Sequence, residues 1–344
     1  MNELRKVQKV GRNTLAVSIP VEFVKNLEIH QGDNLMVMEE ADGTLRLVPT
    51  ARSPKRVKAS IKVDAVDSED LLSRLVVGCY MLGYDAIELT SKNGMSPSYL
   101  AHASKTLRKL RGVEIVESSG SRLLAQSFMD PTKFPVDSLI KRLQLQVSRS
   151  LGNSIDALRS GSPALLREIE SIQEEVDELY WLIVRQLLVA LSNRDISGKI
   201  GLESPLHTSG DRVSAKTIEE IGRLILELTQ EIVGSRERGI KVQERVLAKI
   251  ESLARMAEES FEVTMESLLT PDIRTIEKAT LKIESALQVE REMMMVELLE
   301  SEYAYVRTVA SGFGQLARYC TIILEISLNR LLRKTSRVCT IQNE

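Results

Sequence analysis

The 344-residue sequence is too long for one ordinary core and points to two or three domains. Hydrophobic residues at 43% beside charged residues at 27% exclude a disordered chain, and aromatic residues at only 4% favour helices packed through aliphatic side chains over a β-sandwich. A net charge of -2 excludes a protein that is basic throughout, so contact with nucleic acid has to come from a local patch.

Residues 1–50 predict short strands and turns. Thr14-Leu15-Ala16-Val17-Ser18-Ile19 alternates in the strand manner and stops at Pro20. A short helical turn over residues 21–27 follows, broken by Gly32-Asp33, and Leu35-Met36-Val37-Met38 then leads through Asp42-Gly43 into Leu45-Arg46-Leu47-Val48-Pro49 as a hairpin. Strands this short make a poor core alone, which predicts dimerisation. The basic, proline-containing stretch 51–58 (ARSPKRVK) predicts a linker.

A small α/β module is expected over 55–132, with strands at 59–63, 86–90 and 113–117 and helices at 69–82 and 97–109. From residue 136 onward the apolar period is helical. Breaks at Gly161-Ser162-Pro163, 197–210, 234–239 and Thr270-Pro271 divide it into about six long helices. SGSPALLREIE and LLTPDIRTIEK each place a proline where a first helical turn accepts it. Their spacing of about 105 residues suggests an internal duplication into two three-helix units, 136–234 and 239–335.

Cys79, Cys320 and Cys339 are odd in number and lack CxxC spacing, which predicts a reducing compartment, by default the cytoplasm. No apolar run approaches the roughly 20 residues that span a bilayer, and no apolar stretch follows the N-terminal basic residues, so neither membrane insertion nor secretion is expected. His30, His102 and His207 lie on different segments and suggest no catalytic or metal cluster. Met293-Met294-Met295 and Trp181 are expected to pack in the core. No P-loop, GxSxG, HExxH or dinucleotide glycine pattern is present, and no enzyme activity is expected.

Two segments carry function. Arg5-Lys6-Val7-Gln8-Lys9-Val10-Gly11-Arg12 puts four cations around a glycine, a loop that could lie along phosphates or be a solvated turn. The order RKVxxxGRxTLxVSIP, helical turn, IxxGDxLxV and DGxLxLVP resembles the AbrB/SpoVT/MazE class of swapped-hairpin DNA-binding domains. The resemblance implies DNA contact through Arg5, Lys6 and Arg12, with Lys9 and Lys25 nearby, and a homodimer through this domain. The class often has two arginines on its short helix, where this sequence has Val24-Lys25.

Glu174-Glu175-Val176-Asp177-Glu178-Leu179-Tyr180 and Ile218-Glu219-Glu220-Ile221-Gly222-Arg223 stand where a second and a third helix of the first unit are expected to begin. Gln315-Leu316-Ala317-Arg318-Tyr319-Cys320 stands at the expected start of the last helix. Across 136–334 these segments resemble PhoU proteins, regulators of phosphate uptake built from two three-helix repeats. The resemblance implies a multidomain, mainly α fold: a swapped-hairpin β domain, the α/β module and two tandem PhoU-type three-helix bundles. It also implies a partner such as a phosphate transporter ATPase or a signalling kinase, and a DNA-binding regulator of phosphate homeostasis. A dimeric adaptor without DNA binding is the alternative.

PhoU proteins carry a carboxylate, three residues, then an aspartate, a spacing that puts two carboxylates on one helix face where they can share a metal ion. Here Gln173 pairs with Asp177 and Thr280 with Glu284, so each pair lacks one carboxylate. The aspartate of the family's ERIGDHA pattern is replaced by Arg223 and by Arg318. No metal or other cofactor is therefore expected. Glu170, Glu174, Asp177 and Glu178 are the candidates that would hold a metal, and they otherwise form a solvated face paired to Arg223. Arg223 and Arg318 are candidates for an anion, since the guanidinium fork suits phosphate.

Overall fold

A computed structural model describes residues 3–39, 43–49, 56–202, 205–333, 335 and 339–340. It divides the chain into two units, Met1–Arg56 and Val57–Glu344. Asp42 of the expected hairpin turn and residues 51–55 of the expected linker lie outside the described residues.

In the first unit β1 (Gln8–Val10) and β2 (Thr14–Ala16) form an antiparallel hairpin, with Gly11 in the left-handed region (φ 71°) at its tip. The strand stops at Ala16, short of the expected Ile19. Helix α1 (Val21–Asn26) follows, and β3 (Leu35–Glu39) pairs antiparallel with β4 (Leu45–Pro49). Among the described residues of this unit none is buried, and Val17, Met36, Val37, Leu45 and Leu47 are exposed.

The second unit opens with a four-stranded sheet of order β5-β6-β8-β7, formed by β5 (Lys58–Lys62), β6 (Ala86–Thr90), β7 (Val113–Ser118) and β8 (Arg122–Ser127). β5 runs parallel to β6, and β8 is antiparallel to both neighbours. Helices α2 (Glu69–Met81) and α3 (Pro97–Lys109) pack on each other and on the sheet through Leu72, Val76, Tyr80, Ala103 and Leu107. Their starts are local: the Ser68 and Ser96 hydroxyls accept from the Leu71 and Tyr99 amides, the N-cap role in which a hydroxyl satisfies an otherwise unpaired amide. Strand β8 was not expected. Ser119-Gly120-Ser121 turns the chain, and Leu123 and Ala125 alternate into the core.

Beyond it lie α4 (Val136–Ser160), α5 (Pro163–Ser192), the short α6 (Arg194–Lys199), α7 (Pro205–Glu237), α8 (Glu244–Leu269), α9 (Ile273–Met294) and α10 (Glu300–Leu332). Helices α4, α5 and α7 form one three-helix bundle and α8, α9 and α10 another, joined through α7–α10 and α4–α8 contacts around one continuous apolar core. The chain is thus mainly helical, with a small strand-rich N-terminal part and tandem helical bundles behind it. Among the described residues no helix is long and apolar enough to cross a membrane.

Several expected boundaries move. The third helix starts at Pro205, well before Ile218, and α10 starts at Glu300, well before Gln315. Gly210 and Gly234 do not break α7. A Cβ at Gly210 would lie 2.9 Å from Ile326 Cγ2, so this glycine lets α7 approach α10 closely. The break between α9 and α10 falls at Met295–Leu299, where neither glycine nor proline announces it. Of the three methionines Met293 is buried and Met295 exposed, while Trp181 is half-buried between the sheet module's core and the bundle core.

Two glycine and carboxylate positions yield measurable expectations. Gly83, behind α2, has φ 86°, and a Cβ there would lie 2.6 Å from Val189 Cγ2 on α5. Gly83→Ala is therefore expected to lose about 1–3 kcal/mol, read from thermal or urea unfolding, because strain and close contact add. Glu302 is buried near the start of α10 and accepts from the Gln243 amide (2.9 Å), the Gln243 side chain (2.6 Å) and the Leu299 amide (3.3 Å). Burial pushes its carboxyl upward, but these hydrogen bonds outweigh it and hold the group below the usual glutamate value. Its contribution is then present above the unfolded carboxylate pKa of about 4.3 and is lost as pH falls through the lower folded value. Glu302→Gln should flatten the acid side of the stability–pH curve, measured by urea midpoints between about pH 3 and 7.

Candidate functional site

The sequence-expected cations of the first unit are all exposed. Arg5 and Lys6 lie on the extended segment entering β1, Lys9 on β1, Arg12 beside Gly11 at the hairpin tip, and Lys25 in the last turn of α1. Arg5 is paired with Glu3, whereas Lys6, Lys9, Arg12 and Lys25 have no ion-pair partner among the described residues. Free cations round a left-handed glycine can follow a phosphate backbone, supplying affinity more than sequence selection.

The candidates in the first bundle are brought close together but are already engaged. Asp177 accepts from Gln173 Nε2 at 2.9 Å and faces Arg223 Nη2 at 3.6 Å. Arg223 is held by Glu219, one turn earlier on α7, and Glu219 is buried and also paired with Lys216. Gly222 makes room for this arrangement, since a Cβ there would lie 2.7 Å from Gln173 Oε1. Glu174 pairs with Lys109 of α3 at 3.0 Å and Glu178 with Arg111 at 3.5 Å, so both tie α5 to the sheet module. Glu170 stays exposed and unpaired among the described residues. Burial raises the Asp177 carboxyl above its usual value against the opposing pull of Gln173 and Arg223.

This donor set does not fit a shared divalent metal. Asp177 has an amide and a guanidinium as neighbours, and two of the other acids are turned onto cations of the module. Among the described residues no three His, Cys, Asp or Glu side chains are grouped to hold a metal ion.

In the second bundle Arg318 pairs with the buried Glu290 of α9 at 2.5 Å, and Gly314 leaves the space that Glu290 occupies. Thr280 donates to the Ile276 carbonyl within its own helix and Glu284 is exposed, so neither joins Arg318. Sequence reasoning did not find Glu219, Glu290, Lys109 or Arg111 as partners. Their signal is charge complementarity between segments far apart in the chain, which no local pattern displays.

The family model described as the PhoU domain matches residues 140–232, which run from within α4 to within α7 and so cover the first three-helix bundle. The match leaves the second bundle, the sheet module and the first unit outside it. No curated protein matches the sequence.

Proposed function

From the PhoU-domain match over the first bundle and the free cations of the N-terminal hairpin, we propose that this chain is a non-enzymatic, DNA-binding regulator of phosphate homeostasis acting in the cytoplasm. The observation that carries the DNA half is that Lys6, Lys9 and Arg12 on the segment around Gly11, and Lys25 on α1, are exposed and unpaired among the described residues. Dimerisation through the first unit is supported by its lack of any buried described residue and by its exposed Val17, Met36, Val37, Leu45 and Leu47. A second copy would cover these side chains and give the unit the core it lacks alone. The helical part meets a partner such as a phosphate transporter ATPase or a signalling kinase. Partner binding shifts the population between arrangements of the DNA-binding dimer, and no chemistry is required.

Binding of the full chain to duplex DNA from phosphate-transport promoters, over a salt series, tests this reading. Affinity should fall steeply with salt, by roughly 0.9 in the log–log slope per phosphate contacted, and the Arg5→Ala/Lys6→Ala/Arg12→Ala variant should lose both affinity and slope. A dimer that binds no DNA at low salt would instead establish the adaptor reading, in which the same apolar surface serves only to pair two chains.

A further inference from the structure

A cleft of about 560 Å³ lies between the sheet module and the first bundle, outside the acid cluster of α5. Helix α2 contributes Ser73, Arg74, Val77 and Met81, and α3 contributes His102, Lys105, Thr106 and Lys109. Trp181 of α5 and Arg223 of α7 complete it. Spacings of three and four residues on each helix turn these side chains to one face, so the two helices line the cleft together.

Its lining is of two chemical kinds. Val77, Met81 and the half-buried Trp181 make an apolar, aromatic wall. Arg74 and Lys105 are exposed and have no ion-pair or hydrogen-bond partner among the described residues. The Ser73 and Thr106 hydroxyls share a hydrogen bond of 2.8 Å and Thr106 donates to the His102 carbonyl at 3.1 Å, so both are satisfied within the protein. The remaining cations are engaged, Lys109 with Glu174 and Arg223 with Glu219 and Asp177, and the His102 ring lies within 3.6 Å of Glu69 and 3.8 Å of Asp70. Two unsatisfied cations suit phosphate oxygens, and a tryptophan ring suits a flat ring. The volume falls within the range of about 300–1,000 Å³ usual for small organic ligands and is far larger than one inorganic phosphate needs.

The geometry points to this cleft as a binding site for a nucleoside phosphate, its phosphates on Arg74 and Lys105 and its base against Trp181. Because the walls come from both the module and the bundle, the ligand favours the arrangement in which the two are docked.

Trp181 is the single tryptophan of the chain, so its fluorescence reports the cleft directly. The full chain is titrated with AMP, ATP and GTP, and separately with inorganic phosphate, by fluorescence and by calorimetry on the same samples. A saturable response to at least one nucleotide is expected, at least tenfold weaker in Arg74→Ala/Lys105→Ala and unchanged in Arg5→Ala/Lys6→Ala/Arg12→Ala. Both replaced cleft residues are exposed and unpaired, so that variant keeps its fold, checked by its unfolding midpoint. Silence towards all three nucleotides at millimolar concentration in both methods would overturn the proposal. So would undiminished affinity in the cleft variant, or inorganic phosphate binding as tightly as the best nucleotide. Loss of DNA binding leaves this result untouched, since the two sites lie in different units.

Discussion

Replacing Arg330 by methionine is expected to destabilise the protein by about 3–5 kcal/mol, the usual effect of stripping one partner from a buried ion pair. Arg330 of α10 donates to Asp211 of α7 at 2.5 Å, to Asp137 of α4 at 3.1 Å and to the Leu268 carbonyl near the end of α8 at 2.8 Å. Its side chain is 10% exposed and that of Asp211 3%, so solvent cannot replace the lost contacts, and one guanidinium joins both bundles. Burial already raises the Asp211 carboxyl, and Arg330 opposes that rise. Without Arg330 the folded value climbs further. Between the unfolded aspartate value of about 3.9 and that raised value the folded state then holds more protons than the unfolded one, so stability falls as pH rises. The stability gap between Arg330→Met and the parent should accordingly narrow on acidification towards pH 4. Adding Asp211→Asn to Arg330→Met should recover a large part of the loss at neutral pH, because it removes the unpaired buried charge. Urea midpoints of the two variants and the parent at several pH values measure both effects. A gap independent of pH, or no recovery in the double variant, would show that packing rather than charge carries the loss.

Replacing Arg185 by methionine should loosen the sheet module from the first bundle at an expected loss of about 2–3 kcal/mol, the scale for buried carbonyls left without donors. Arg185 of α5 is buried, donates to the Tyr80 carbonyl at 2.7 Å and the Tyr84 carbonyl at 3.0 Å, and lies 4.9 Å from the centre of the Tyr80 ring. The Tyr80 carbonyl belongs to the last turn of α2, where the helix dipole is negative, and the Tyr84 carbonyl to the turn that follows it, so the cation is balanced there without a carboxylate in direct contact. Burial lowers the Arg185 pKa, but an arginine keeps its charge over any practical pH range, and this contact should be insensitive to pH where the Arg330 contact is not. Trp181 packs between the two cores one turn away, so the variant's tryptophan emission should shift towards that of a solvated indole before global unfolding. An unshifted emission with parental stability would mean that Arg185 does not hold the interface.

Both residues sit inside long helices whose existence was legible, yet neither drew notice in the sequence. An arginine at one position of an amphipathic helix is ordinary, and what distinguishes Arg330 is the aspartate of another helix and a carbonyl of a third converging on it. The acids of α5 show the same limit from the other side. Asp177, Glu174, Glu178 and Arg223 stand out through the resemblance to PhoU proteins, with the acids expected as a solvated face paired to Arg223, and in the structure Asp177 faces Arg223 at 3.6 Å. That Glu174 and Glu178 face Lys109 and Arg111 depends on how the module docks, and that Arg223 lies chiefly against Glu219 depends on its rotamer.

By itself the sequence determined the helical character of the chain beyond residue 136, the order of strand and helix in the sheet module up to β7, and the two proline-marked breaks, with Pro163 opening α5 and Pro271 standing just ahead of α9. These rest on local physics, namely the 3.6-residue apolar period, the capping Ser96 ahead of Pro97, and prolines that stop one element or begin the next. Only the tertiary structure decided where α7 and α10 begin, that Gly210 is a contact with Ile326 rather than a break, that β8 inserts between β6 and β7, and that α2 and α3 open a cleft onto Trp181 and Arg223. Each of those depends on surfaces separated by tens to hundreds of residues meeting with matched shape and charge. Local propensity fixes what an element is, whereas packing fixes where it ends and what it faces.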